Sequence, residues 1–211
     1  MKSLFSLLLV VIIGTGTATF SQTVTIGTQV WMTKNLDVST FRNGDPIPEA
    51  KTDEEWNRAY YSGKPAWCYF KNDTVNEKIY NWHVVNDSRG VAPEGFHIPT
   101  KKDWLSLEKF LGKDAGVKMM TIDGWSKCHM VGTNSSGFTG FPIGSRTTKG
   151  YFANSGLELS MWSSTGKLED GMYEGEGEVW SAYAYSLSSC SKGEIEFRLS
   201  GNGFSIRCLK D

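Results

Sequence analysis

The sequence has no excess of charge of either sign. Lys and Arg number 22 against 23 for Asp and Glu, a formal net charge of −1. Nucleic-acid binders and basic membrane-surface proteins rest on a positive excess, so neither class is supported. It has no apolar run of the roughly 20 residues that a membrane span takes. It has no C-x-x-C pair, so a zinc or thioredoxin-type site lacks its ligands. It has no G-x-S-x-G, H-E-x-x-H or P-loop sequence, which leaves hydrolase and nucleotide-binding readings without residues. What it has in quantity is rings and glycine: 8 Trp, 8 Tyr, 11 Phe and 23 Gly in 211 residues. Large side chains joined by many tight turns predict short elements around an aromatic core. With 39% hydrophobic and 21% charged residues, the chain reads as folded, in one domain.

The first residues read as an address. Lys2 precedes an apolar run from Leu4 to Ile13, broken only by Ser6, and a small, polar stretch follows to Ser21. That is the pattern of a secretory signal peptide over residues 1–21, cut after Ser21 to leave Gln22 first. The segment holds no Cys, so the expectation is an exported protein that is not a lipoprotein, placed in the periplasm, on the cell surface or outside the cell. Residues 22–211 then form a single domain.

Export changes how Cys68, Cys128, Cys190 and Cys208 read. An even count outside the cytosol favours disulfides, and four cysteines allow three pairings. Cys208 alternates with Phe204 and Ile206, which turns it inward if that segment is a strand. The pairing adopted is Cys68–Cys208 with Cys128–Cys190, and free buried thiols are the alternative.

Along the chain, Thr23–Met32 predicts a β-hairpin turning at Gly27-Thr28. Thr52 and Glu55 form a capping box for a short helix that Gly63 stops. Ala66–Phe70 predicts a strand. Ile79–Val85 is apolar but too short to type by period. Thr100 starts the clearest helix, with Trp104, Leu107, Phe110 and Leu111 on one face and Gly112 at its end. From Lys113 to Ser160 the chain predicts ordered loops in which Trp125, Phe138, Phe141, Tyr151 and Phe152 need somewhere to pack. Met161–Thr165, Val179–Leu187, Glu194–Ser200 and Phe204–Leu209 predict a C-terminal antiparallel meander, with Ile195, Phe197 and Leu199 inward. The class is α+β: a hairpin, two short helices, a loop-rich middle and a meander.

Several stretches resemble the Fibrobacter succinogenes major paralogous domain family. They are Val24–Leu36, Asn43–Pro48, Ala66–Phe70, Tyr80–Trp82, Gly95–Thr100, Gly137-Phe138, Trp162–Thr165 and Gly203–Cys208, in that order. The resemblance implies a C-type-lectin-like fold related to the domain of formylglycine-generating enzymes, and an exported protein of Bacteroidetes-type bacteria. It implies no activity. Many members carry a Cys just before the Pro of the segment matching Pro93-Glu94-Gly95; here Ala92 stands there, so a disulfide through that position cannot form.

The candidates for chemistry are few. Trp82, Trp125 and Trp180 fall near loops, where an exposed ring can stack on a sugar or a peptide; packing in the core is the alternative. Glu169, Asp170, Glu174, Glu176 and Glu178 lie among glycines, a set of hard oxygen ligands suited to calcium, with a solvated acidic loop as the alternative. No cofactor is expected beyond calcium at that set. His83 and His97 have no spacing partner for a metal, and His97 reads as structural. Cys128-His129 are neighbours that point to opposite faces of an extended chain. The expectation is a non-catalytic binding module, adhesin-like, whose ligand is a polysaccharide or a cell-surface protein. The alternatives are a structural envelope domain, or a thiol oxidase of the formylglycine-generating type using Cys190 or Cys208.

Overall fold

A computed structural model describes residues 22–170, 178–191 and 193–211; the predicted signal peptide, 1–21, lies outside them. β1 (Thr23–Ile26) and β2 (Gln29–Met32) form the hairpin, pairing Thr23 with Met32 and Ile26 with Gln29. Gly27 turns it at φ +62°, and a β-carbon there would meet the Phe110 ring at 2.8 Å. Phe110 therefore caps the turn from outside. It is 64% exposed, so it leaves the buried face of its helix, contrary to the expectation from spacing.

α1 (Asp53–Tyr61) begins as the capping box dictates: the Glu55 amide donates to Thr52 Oγ1, and the Thr52 amide donates to Glu55 Oε2, both at 3.2 Å. β3 (Trp67–Tyr69) pairs antiparallel with β4 (Lys78–Tyr80). The apolar stretch after β4 then changes type at Asn81. The Asn81 side chain accepts from the Ala66 amide at 3.0 Å and donates to the Lys64 carbonyl at 2.8 Å, which ends the strand. α2 (Trp82–Val85) follows. β5 (Phe96–His97) leads into α3 (Lys101–Leu111), which has its own box at Thr100 and Asp103 and stops at Gly112. Trp104, Leu107 and Leu111 are its buried residues.

The loop-rich middle contains a helix that the composition hid, α4 (Ala115–Met119), and a two-residue ladder between β6 (Ser145–Arg146) and β7 (Phe152–Ala153). Phe138 is fully buried and Trp125 and Phe152 pack on the core, but Phe141 and Tyr151 are exposed. β8 (Glu158–Asp170), β9 (Glu178–Ser188) and β10 (Glu194–Leu199) form the meander in the order β10-β9-β8. Its first two strands run longer than predicted. Ile195 packs on the core and Leu199 is half-buried, while the Phe197 side chain lies outside the described residues.

The chain end corrects the sequence reading. Phe204–Leu209 does not close the meander. It bridges Phe204 to Tyr80 and Ser205 to Met161, then ends as β11 (Leu209–Lys210) between β2 and β5, giving the order β1-β2-β11-β5. The reason is that both faces of this segment are buried. Ser205 and Arg207 are as enclosed as Phe204, Ile206 and Cys208. Arg207 Nη1 donates to the carbonyls of Met32 at 3.1 Å and Phe138 at 2.6 Å, and its Nε donates to Asn35 Oδ1 at 2.8 Å. A buried guanidinium has to find such acceptors, and they lie beside β2.

The buried residues fall into two clusters. One is built around Trp31, Trp104, Phe138 and Tyr185; the other around Tyr80, Trp82, Trp162, Phe204 and Ile206. This division separates one of the two predicted cysteine pairs, Cys68 and Cys208. Cys128 and Cys190 are disulfide-bonded, with Cα atoms 5.1 Å apart. Cys68 and Cys208 are free thiols, Cys68 in the first cluster and Cys208 in the second, so the expected Cys68–Cys208 bond is not formed. Among the described residues, no helix is long and apolar enough to cross a membrane.

Candidate functional site

The meander and α2 together build an aromatic ledge. Gly166, beside the register shift in β8, makes it possible: a β-carbon at Gly166 would overlap the Trp82 ring. Without one, the Trp82 ring packs against β8 at Gly166 and its Nε1 donates to the Ser163 carbonyl at 2.9 Å. Ser200, at the end of β10, ties the neighbouring elements together. Its amide donates to the Trp180 carbonyl at 2.8 Å, and its carbonyl accepts from the Trp82 amide at 2.9 Å. The two rings are thereby held with centroids 5.4 Å apart and planes tilted by 30°. Trp82 is 1% exposed and Trp180 38%.

Trp180 forms one wall of a cleft of about 390 Å³ lined also by Gly63, Pro65, His83, Asn86, Asp87 and Ser88. Clefts of this size hold small-molecule ligands and single sugar units. Burial pulls the His83 pKa below its ordinary value, so the ring is a neutral imidazole at pH 7. Its Nε2 lies 3.4 Å from Ser200 Oγ. Asp87 is pinned by Arg89, whose Nε and Nη2 each approach its carboxylate at 2.8 Å. The hydrogen bonds from Arg89 hold the Asp87 pKa down. Asn86 and Ser88 are exposed on the same rim. The result is a rigid ring beside neutral donors and acceptors, with the one lining carboxylate already paired.

Of the three predicted tryptophans, only Trp180 offers its ring to this cleft. Trp82 is corrected: it is buried support for Trp180, because α2 lays it against β8. Trp125 is elsewhere, half-buried on the first core cluster, with its Nε1 donating to Thr121 Oγ1 at 3.2 Å. Asn86, Asp87 and Ser88 read in sequence only as a polar loop. Their signal was position, directly after the short helix that carries Trp82 and His83.

The acidic set gains no geometry. Glu174 and Glu176 lie outside the described residues, as do the side chains of Glu169, Asp170 and Glu178. Among the described residues, no group of three or more His, Cys, Asp or Glu is placed to hold a metal ion. His97 ties the chain end to α3: its Nδ1 lies 2.8 Å from Asp211 Oδ1 and its Nε2 3.7 Å from Asp103 Oδ2. The thiols are poorly placed for nucleophilic work. Burial pushes Cys68 up to about 11, partly offset by Arg146, and Cys208 up to about 12. Cys128 and Cys190 are bonded to each other, so Cys128 has no thiolate to offer His129.

The chain matches the Fibrobacter succinogenes major domain over residues 24–210. No curated protein and no solved structure matches it. The match spans both core clusters, the meander and the cleft, so the chain belongs to the Fibrobacter succinogenes major domain family.

Proposed function

We propose that this chain is an exported, non-catalytic binding module that holds a polysaccharide at the Trp180 cleft. The observation that carries this reading is the half-exposed Trp180 ring, fixed on buried Trp82 and facing His83, Asn86 and Ser88. A sugar ring has an apolar C–H face that stacks on indole and hydroxyls that need neutral hydrogen-bonding partners. The signal-peptide pattern and the Cys128–Cys190 disulfide both support export, since disulfides persist in oxidising compartments. A C-type-lectin-like fold agrees with the hairpin and meander, and extends the argument by analogy only. The buried, high-pKa thiols favour binding over the thiol-oxidase alternative.

A glycan array probed with the intact chain and with Trp180→Ala tests the reading. The expected result is a defined set of glycans bound by the intact chain and lost in the variant, unchanged by a metal chelator. Binding that survives Trp180→Ala, or no glycan bound at all, would turn the assignment towards a cell-surface protein partner or a structural envelope domain.

A further inference from the structure

Trp125 lies at the far end of β9 from Trp180. The loop that carries it is clamped there. The amides of His129 and Met130 both donate to the Ser189 carbonyl at 2.8 Å, and Cys128 is bonded to Cys190. On its other side the Ser126 amide donates to the Gly156 carbonyl at 2.7 Å. The clamped loop encloses a second cleft, of about 410 Å³, in which Trp125 stands with Asp123, Ser126, Lys127 and His129. Like the first cleft it sets one indole and one imidazole beside hydrogen-bonding side chains, but Ile122, Met130 and Val131 also line it, so it is the more apolar of the two. Among the described residues, the two clefts share no lining residue.

Their separation follows from the strand. Trp180 and Ser189 are nine positions apart on extended chain, which rises ~3.3 Å per residue, so the strand positions that anchor the two clefts lie up to ~30 Å apart. No compact ligand touches both. A polymer of repeating sugar units presents the same face many times and occupies both, or two polymer chains occupy one each. We propose that Trp125 marks a second glycan-binding cleft, held open by the Cys128–Cys190 disulfide, which makes the chain bivalent for polysaccharide. The proposal rests on the reading of the Trp180 cleft as a glycan site.

The experiment is affinity gel electrophoresis of the full chain against soluble β-glucan, xylan, mannan and polygalacturonate, each as polymer and as a short oligosaccharide competitor. Two sites joined on one rigid body raise affinity for a polymer by at least ~10-fold over a single-site fragment. The expected result is that Trp180→Ala and Trp125→Ala each weaken retardation at least ~10-fold and that the double variant abolishes it. Because Trp125→Ala also removes a core contact, the pair Cys128→Ser with Cys190→Ser is the second variant. It keeps the indole, frees the loop and lowers polymer binding towards the Trp125→Ala level. Full retardation in both of those variants, with loss only in Trp180→Ala, would overturn the second cleft and leave the first. A chain retarded by none of the polymers would overturn both.

Discussion

The guanidinium of Arg207 lies 4.5 Å from the ring centroid of Phe138 and donates to the carbonyl of that same residue. The contact joins the last segment of the chain to the middle loop and, through Met32 and Asn35, to the hairpin. Burial lowers the Arg207 pKa to about 10, so it stays charged at neutral pH. Arg207→Met keeps the volume but removes a buried donor from the Met32 carbonyl and from Asn35 Oδ1, and leaves the Phe138 carbonyl with the Thr139 hydroxyl. Leaving buried polar groups unpaired costs about 1–3 kcal/mol each. Urea unfolding is expected to show a loss of about 3 kcal/mol, and an unchanged midpoint would show that the network contributes nothing.

The free thiols set an alkaline limit. Cys68 and Cys208 have folded pKa values near 11 and 12, above the unfolded value near 9. A group whose folded pKa is raised contributes stability that is fully present below the unfolded pKa and lost as pH rises through the folded one. The melting temperature is therefore expected to fall from pH 9 upward, with Tyr80 and Tyr185, also raised by burial, adding to the slope. Cys208→Ala flattens that arm. In the native protein neither thiol reacts with a thiol reagent at pH 8; prompt labelling of one would revive the oxidase alternative.

On the acid side the sign is reversed. Burial depresses the folded pKa of His83, so its contribution is present above about 6.5, the unfolded value, and is lost as pH falls below it. Thermal melts between pH 7 and 5 should show a decline that His83→Gln reduces. A parallel decline in both proteins would assign it to the carboxylates instead.

The disulfide closes a loop with a sequence separation of 62. Chain-entropy arguments put the stabilisation from such a loop at about 4 kcal/mol. Reduction should lower the melting temperature clearly, and a melt unaffected by reductant would mean that the unfolded chain is already compact there.

The legible part of the fold was the part governed by local rules. The Gly27 turn, the capping box at Thr52, the helix start at Thr100 and the Gly112 stop are each fixed within a few residues, and all are found. What stayed hidden depends on distant partners. Arg207 has no sequence signal for its acceptors at Met32 and Phe138, so the last segment read as one more meander strand. Phe110 fits the apolar spacing of α3, but Gly27 gives its ring a place on the hairpin turn. Trp82 and Trp180 are 98 positions apart, and only Ser200 and the gap at Gly166 make them neighbours. The Cys68–Cys208 pairing failed for the same reason: alternation places a thiol inward without saying into which of two cores.

The central claim is that Trp180 is the contact surface for sugar. It is tested most directly by titration calorimetry of the strongest glycan from the array against the intact chain, Trp180→Phe and Trp180→Ala. An exposed tryptophan at the centre of a binding site carries about 2 kcal/mol or more, so the account predicts a loss of roughly 30-fold or greater in Trp180→Ala, with partial retention in Trp180→Phe. Equal affinity in all three proteins would contradict it.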